Sequence, residues 1–220
     1  AQSFNQALNG WNTSNVTNML EMFAYANSFN QALNNWDVSK VSNTTRMFRS
    51  AISFNSSLSN WNLTGTTSIA EMFLYASSFN QNINSWNTST INNMYRTFGY
   101  ATNFNQPLNN WDMSNVTTIA HMFIDATSFN QPLNNWNVEN VSNMDFLFSG
   151  AISYDQSLAD WVITSATNLA NMFSNGSGLS IANYDATLIA WSTLPLQNNV
   201  IMHGGSSTYC DAATERATII

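Results

Sequence analysis

Charged side chains are scarce in this sequence of 220 residues. Only 8% of the residues are Asp, Glu, Lys or Arg, and five basic residues against twelve acidic ones give a net charge of −7. Binding to a phosphate backbone needs clustered Lys and Arg, so we expect no nucleic-acid partner. Asn, Ser, Thr and Gln carry most of the polarity, which predicts a wet but nearly uncharged surface.

Cysteine, histidine and long apolar runs are also nearly missing. Cys210 is the only cysteine, which excludes a disulfide framework and a cysteine-based metal cluster. His121 and His203 are the only histidines, and neither has a partner at a spacing typical of catalysis. Every apolar run is shorter than the roughly 18 residues that a membrane-spanning helix needs. We therefore expect a chain that is not an enzyme, binds no metal or cofactor and does not insert into a membrane.

A phrase of the form Phe-Asn-Gln-x-Leu-x-x-Trp recurs at a fixed interval of 25 residues. Seven copies follow one another without insertion or deletion. Each copy begins at one of seven alanines, Ala1, Ala26, Ala51, Ala76, Ala101, Ala126 and Ala151. A period of this length is the signature of a repeat array in which each unit buries its apolar face against its neighbours. We predict that residues 1–176 form a solenoid of seven repeats and that residues 177–220 form a C-terminal capping segment.

Aromatic residues occupy two fixed positions of the repeat. One column is Phe4, Phe29, Phe54, Phe79, Phe104, Phe129 and Tyr154, and the other is Trp11, Trp36, Trp61, Trp86, Trp111, Trp136 and Trp161. Identical residues at a fixed interval are expected to lie over one another when the copies stack in register. The sequence therefore predicts an interior made of layers of phenyl and indole rings.

Two apolar patterns within each copy predict its secondary structure. Around the tryptophan, apolar residues alternate with polar ones, as in Leu133-x-x-Trp136-x-Val138, which is typical of a short strand. Further on, apolar residues recur at spacings of three and four, as in Val16, Met19 and Phe23, which is typical of a helix with one buried face. The column that holds Thr17 supplies helix-capping residue types. We predict an α/β repeat solenoid with a parallel β-sheet on one face and short helices on the other.

Polar residues also recur in register. The asparagine after each phenylalanine forms a column that ends in Asp155, and we expect an asparagine ladder in which each side chain satisfies backbone groups of the neighbouring copy. Glu21, Arg46, Glu71, Arg96 and His121 share another column. Its charges alternate in sign, so stacking in register is expected to place opposite charges side by side.

The chain begins at a repeat boundary, and the period ends after Gly176. Because solenoid ends need polar caps, we expect further repeats or another domain upstream in the parent protein. Downstream, helical spacing predicts a helix over residues 180–191, a short strand over 200–202 and a second helix over 211–220. His203 and Cys210 could form a catalytic pair, but a capping strand beside a small buried thiol explains both residues more simply.

The repeat resembles a known family. The segment from Phe104 to Thr117, Phe-Asn-Gln-Pro-Leu-Asn-Asn-Trp-Asp-Met-Ser-Asn-Val-Thr, followed by Met122-Phe123, is similar to the BspA-type leucine-rich repeat of bacterial surface proteins. Tyr209-Cys210 resembles part of the segment that closes such arrays. The resemblance implies a leucine-rich-repeat-like right-handed coil on the bacterial cell surface, outside the cell, that functions in adhesion or protein binding. It implies no catalytic or ligand-binding residues.

The predicted strand face carries the candidate site. Side chains that flank the buried tryptophan and valine are expected to point outward in continuous rows, which suits an extended protein or glycan ligand. The candidate ligand-binding residues are Asn12, Asp37, Asn62, Asn87, Asp112 and Asn137, together with Ser39, Thr64, Ser89 and Ser114. We name these ten residues the polar row. Two alternatives remain: the array is a structural spacer of a larger surface protein, or its hydroxyl-bearing face binds ice.

Overall fold

The seven copies stack directly on one another in the computed structural model, which describes residues 1–219. Six isolated parallel bridges each join one residue of a copy to its counterpart in the next copy, 25 positions later. The bridged chain of residues is Asn18, Asn43, Ser68, Asn93, Thr118, Asn143 and Asn168. Consecutive copies are therefore in register, as the sequence predicts.

The predicted parallel sheet does not form. Within residues 1–219 every bridge is isolated, so no two consecutive pairs join into a strand. Where a strand was predicted around Trp86, the chain turns instead: the Trp86 N–H donates to Ile83 O at 3.1 Å and the Ile91 N–H to Thr88 O at 2.9 Å. The buried residues Ile83, Trp86 and Thr88 are three and two positions apart because tight turns follow one another. These turns point the three side chains inward without an extended backbone. The α/β solenoid prediction was wrong on this point.

The helices predicted within the copies are also absent from the described residues. In the third copy, the N–H groups of Ile69, Glu71, Phe73 and Tyr75 donate to carbonyl oxygens of the fourth copy at 2.7 to 3.1 Å. The Met72 and Leu74 N–H groups between them donate to the carbonyl oxygens of Ile69 and Glu71, three residues back in the same copy, which forms turns. Glu71 and Tyr75 have φ of 56° and 62°, in the left-handed region, so the right-handed helical path is broken at both residues.

The proposed helix-capping column has another role. The Thr117 N–H and hydroxyl both donate to the carbonyl oxygen of Asn92, at 2.9 and 3.2 Å. Asn92 is the equivalent residue of the preceding copy. These residues therefore tie adjacent copies together and cap no helix.

The aromatic columns form the core, as predicted. The Phe54 and Phe79 rings lie 6.0 Å apart with an interplanar angle of 3°, and the Trp61 and Trp86 rings lie 6.4 Å apart at 8°. A third column interleaves with the first, since the Phe73 ring lies 3.9 Å from that of Phe79. Parallel rings repeated at every copy give one continuous apolar interior, whose burial supplies the main stabilising free energy.

Two hydrogen-bond ladders run beside these rings. Each indole N–H from Trp36 to Trp161 donates to the carbonyl oxygen of a residue 28 positions earlier, as Trp61 does to Leu33 O at 2.9 Å. The asparagine ladder is confirmed: Asn80 Oδ1 accepts from the Asn105 N–H at 2.9 Å and from Gln106 Nε2 at 3.0 Å. The indole ladder satisfies buried polar groups, the asparagine ladder satisfies exposed and partly buried ones, and both fix the register of the stack.

Two helices follow the repeats, α1 at Ile181–Ser192 and α2 at Ala213–Ile219. Residue 220, the last of the predicted second helix, lies outside the described residues. The strand predicted over residues 200–202 is reduced to a single bridge between Met202 and Leu169. Helix α1 covers the last copy and extends both ladders. The Trp191 indole donates to Leu158 O at 3.1 Å, and Asp155 Oδ1 accepts from the Ser180 N–H at 2.8 Å.

Candidate functional site

The polar row lies on turns and not on a strand face. The Asx residue of each of the first six copies is exposed, and its Oδ1 accepts a hydrogen bond from the backbone N–H two residues later, at 2.9 to 3.1 Å. The six acceptors are Asn12, Asp37, Asn62, Asn87, Asp112 and Asn137. This bond closes an Asx turn, so these side chains have a structural role that the strand prediction did not include. The same bond holds each side chain in one orientation.

Hydrogen-bond donors of the row remain available to a ligand. Within residues 1–219, the Asn62, Asn87 and Asn137 amide NH₂ groups make no hydrogen bond to protein, nor do the Thr64 and Ser89 hydroxyl groups. The backbone beneath is braced, because Asn115 Nδ2 donates to Ser89 O and Asn140 Nδ2 donates to Ser114 O, each at 2.8 Å. The row thus offers oriented donors on a rigid support.

Two members of the row carry negative charge. Hydrogen bonds from the Ser39 hydroxyl, 2.6 Å away, and from its N–H lower the pKa of Asp37. Hydrogen bonds from Ser114 lower the pKa of Asp112 in the same way. Both carboxylates are therefore ionised at neutral pH, and they flank the neutral segment that contains Asn62 and Asn87.

In the column of alternating charges, ion pairs form among the first three residues, Glu21, Arg46 and Glu71. Arg46 binds Glu21 at 3.1 Å and Glu71 at 2.9 Å, and Arg49 from outside the column also binds Glu71, at 3.1 Å. These pairs confirm the predicted register. Further along, the Arg96 guanidinium lies 5.1 Å from the centre of the Tyr95 ring, and the part of the chain that the structure describes shows no ion pair for it.

The two histidines contact an aromatic ring and a backbone N–H group. The His121 ring stacks on Phe146 at 4.8 Å, and burial together with the charge of Arg96 lowers its pKa. His203 Nδ1 lies 3.0 Å from the Asn171 N–H, so it holds the cap against the last copy. Cys210 is exposed, and the expected buried thiol was wrong. No metal-binding group of His, Cys, Asp or Glu side chains occurs among residues 1–219.

Sequence reasoning missed a groove on another face of the array. Its lining residues are Ser50, Ile52, Tyr75, Ser77, Tyr100 and Thr102, and its volume is about 540 Å³. We name it the tyrosine groove. The Tyr75 and Tyr100 rings stack with centroids 4.4 Å apart and an interplanar angle of 21°. The signal was present in the sequence, since the last position of the first four copies reads Tyr25, Ser50, Tyr75 and Tyr100.

Comparison with known proteins identifies one family. A family model described as "Mycoplasma protein of unknown function, DUF285" matches residues 1–86 and 67–187. The two matches overlap and together span all seven copies and part of α1. No curated protein and no solved structure matches the chain. Among residues 1–219, neither helix has the length and apolar character required to cross a bilayer.

Proposed function

The chain belongs to the DUF285 family of repeat proteins of unknown function, and we propose that it is a non-catalytic binding module whose polar row contacts a protein or glycan ligand. The observation that carries the proposal is that the polar row presents oriented side chains with unpaired hydrogen-bond donors. Its Asn and Asp side chains are exposed and oriented by Asx turns, while the Asn62 and Asn87 amide groups and the Thr64 and Ser89 hydroxyls have no hydrogen-bond partner among residues 1–219. Binding to such a surface costs little conformational entropy, because the side chains are ordered before the ligand arrives.

The chemistry of the row favours a polar, weakly charged ligand. Asn62 and Asn87 offer neutral amide donors, and Thr64 and Ser89 offer hydroxyls, whereas Asp37 and Asp112 place one negative charge at either end of this segment. Neutral donors in a regular row suit the hydroxyl groups of a glycan or the backbone carbonyls of an extended peptide. The net charge of −7 disfavours an anionic ligand.

We place the module on a bacterial cell surface in an adhesion role. The support is the sequence resemblance of the segment from Phe104 to Thr117 to BspA-type repeats, although the sheet and helices implied by that resemblance are not found. A spacer function is the second candidate. The continuous aromatic core favours it, because every copy is joined to the next by rings and hydrogen bonds, which makes the array stiff.

Binding to protein and glycan arrays by the purified chain tests the proposal. The double variant Thr64→Ala and Ser89→Ala removes two hydroxyls that make no hydrogen bond within residues 1–219, so it should weaken binding by about tenfold without lowering the melting temperature. Its matched control is Ser3→Ala with Ser153→Ala, which removes two exposed hydroxyls away from the row. Equal affinity of both double variants for an array ligand would exclude the row as the site. No binding to either array would favour the spacer.

A further inference from the structure

The tyrosine groove exists because one ring is missing from a column. Tyr25, Ser50, Tyr75 and Tyr100 occupy the same position of consecutive copies. Tyr75 is covered on one side by Tyr100. On the other side, the second copy supplies only the small side chain of Ser50, and Tyr75 remains 42% exposed. A ring of a bound molecule could therefore stack on Tyr75 at the level where Ser50 interrupts the column.

Neighbouring side chains define the limits of the groove at the level of Ser50. The Arg49 guanidinium lies 5.7 Å from the centre of the Tyr25 ring and is held by Glu71 at 3.1 Å. It therefore lies over one face of Tyr25, which stays exposed, and the groove has no charged lining residue. Ile52, 45% exposed, adds an apolar wall. Exposed apolar surface of this kind is a common mark of a binding site.

Hydroxyl groups surround the apolar surface. Ser50, Ser77 and Thr102 line the groove, and their side-chain oxygens make no hydrogen bond to another group among residues 1–219. A pyranose ring has an apolar C–H face and a rim of hydroxyls, which matches a tyrosine face bordered by Ser and Thr hydroxyls. A bare phenyl ring would leave these hydroxyls without partners, which is less favourable.

We propose that the tyrosine groove binds one pyranose residue of a neutral glycan, stacked on Tyr75 beside Ser50. The groove lies at a different position of the repeat from the polar row: within the second copy, Ser50 is thirteen residues after Asp37. It goes beyond the proposed function, because it uses different residues and does not need the polar row. The neutral lining selects against sulfated and uronic-acid glycans, which the net negative charge of the chain also repels.

The column of Tyr25, Ser50, Tyr75 and Tyr100 suggests the variant that tests the proposal, Ser50→Tyr. Ser50 has a φ of 56°, close to the 59° of Tyr25, the 62° of Tyr75 and the 57° of Tyr100. Tyrosine is thus already accommodated by this backbone conformation at three equivalent positions. Ser50→Tyr should complete the column and occupy the site while leaving the fold intact.

Affinity electrophoresis through gels that contain soluble neutral polysaccharides (mannan, hydroxyethylcellulose or galactan) measures the binding. The natural chain should be retarded by at least one of them, and Ser50→Tyr and Tyr75→Ala should each raise Kd by about tenfold or more. Tyr25→Ala, which removes an exposed tyrosine outside the groove, should bind normally. So should the double variant Ser3→Ala and Ser153→Ala, whose exposed hydroxyls lie outside both the groove and the polar row. Thermal melting verifies that Ser50→Tyr is folded.

Three results would overturn the proposal. The first is the absence of retardation of the natural chain by every neutral polysaccharide. The second is a folded Ser50→Tyr variant that binds as tightly as the natural chain. The third is retardation by heparin or polygalacturonate in place of the neutral polymers.

Discussion

The indole N–H of Trp86 donates to the carbonyl oxygen of Leu58, 2.9 Å away and 28 residues earlier in the chain. The same indole stacks on Trp61 at 6.4 Å and on Trp111 at 6.1 Å. One side chain thus supplies both a core ring and a hydrogen bond that fixes how adjacent copies meet. Stability of the array should depend strongly on such residues.

Trp86→Ala should therefore lower the free energy of unfolding by about 3 to 5 kcal/mol, because it leaves a large cavity in the core. Trp11→Ala is the matched control. Trp11 occupies the same column, but its side chain is 57% exposed, and the cost should be about 1 kcal/mol. Urea unfolding followed by circular dichroism measures both. Equal destabilisation by the two variants would contradict the buried-column interpretation.

The asparagine ladder gives a second prediction. Asn80 Oδ1 accepts from the Asn105 N–H and from Gln106 Nε2, so Asn80→Ala leaves two donors without a partner and should cost about 1 to 3 kcal/mol. Asn80→Asp keeps the acceptor and should cost less. Thermal melting of the two variants at pH 7 provides the comparison. Lower stability for Asp than for Ala would mean that the ladder needs the amide group and not the acceptor oxygen alone.

A third prediction concerns acid stability. Burial alone would raise the pKa of Asp155, but hydrogen bonds from Asn183 and Ser180 outweigh it, and the pKa lies below its usual value. The ionised carboxylate therefore stabilises the folded state. This contribution is complete above the unfolded pKa of about 3.9 and is lost as the pH falls through the folded pKa.

Asp155→Asn should accordingly reduce the loss of stability between pH 5 and pH 2, because the amide keeps an acceptor oxygen but does not titrate. The measurement is the urea midpoint of both proteins across this range. Asp37 and Asp112, whose pKa values are also lowered, remain in the variant, so part of the pH dependence should persist. An unchanged pH profile would show that the Asp155 carboxylate makes no contribution through its ionisation.

The side-chain positions of this fold could be predicted from the sequence, but its backbone could not. A strict interval of 25 residues requires Phe79 to lie over Phe54 whatever the local conformation, so the core columns and the asparagine ladder were predicted correctly. Spacings of three and four are shared by helices and by successive turns. Nothing in the side chains of Glu71 or Tyr75 indicates the left-handed conformation that both adopt, so helices were predicted where turns occur.

For the candidate sites too, side-chain positions could be predicted from the sequence but backbone conformation could not. The polar row was predicted as an exposed column, and its Asn and Asp residues are exposed, but Asn87 was not predicted to close an Asx turn with Ser89. The turn depends on backbone directions that periodicity does not report. The tyrosine groove was missed because the Tyr25 position lay outside the columns used to predict the core. Comparison of Ser50 with Tyr75 in the same column would have shown the missing ring.

The Asx turn leads to a fourth prediction, which separates structure from binding within the row. Asn87→Ala removes the acceptor of the Ser89 N–H and should lower the free energy of unfolding by about 0.5 to 1.5 kcal/mol. Asn87→Asp keeps the acceptor but removes the amide donors, so it should be close to neutral for stability and still weaken ligand binding. Melting temperature and array binding of both variants test this. If Asn87→Asp binds normally, the Asn87 amide is not a ligand contact.

The last prediction concerns the ion pairs of Arg46. This guanidinium binds two carboxylates of the same column, and the exposure of the Glu71 side chain is 11% while that of Glu21 is 49%. Burial strengthens an ion pair by excluding water and salt, and Glu71 also binds Arg49. Glu71→Gln should therefore cost about 1.5 to 3 kcal/mol, whereas Glu21→Gln should cost about 0 to 1 kcal/mol.

Salt dependence distinguishes the two positions further. Added salt should remove most of the difference between the natural chain and Glu21→Gln, because that pair is exposed to solvent. It should leave most of the cost of Glu71→Gln, since that carboxylate is buried between Arg46 and Arg49. Urea midpoints at low salt and in 1 M NaCl measure both effects. Equal sensitivity of the two variants to salt would mean that burial does not set the strength of these pairs.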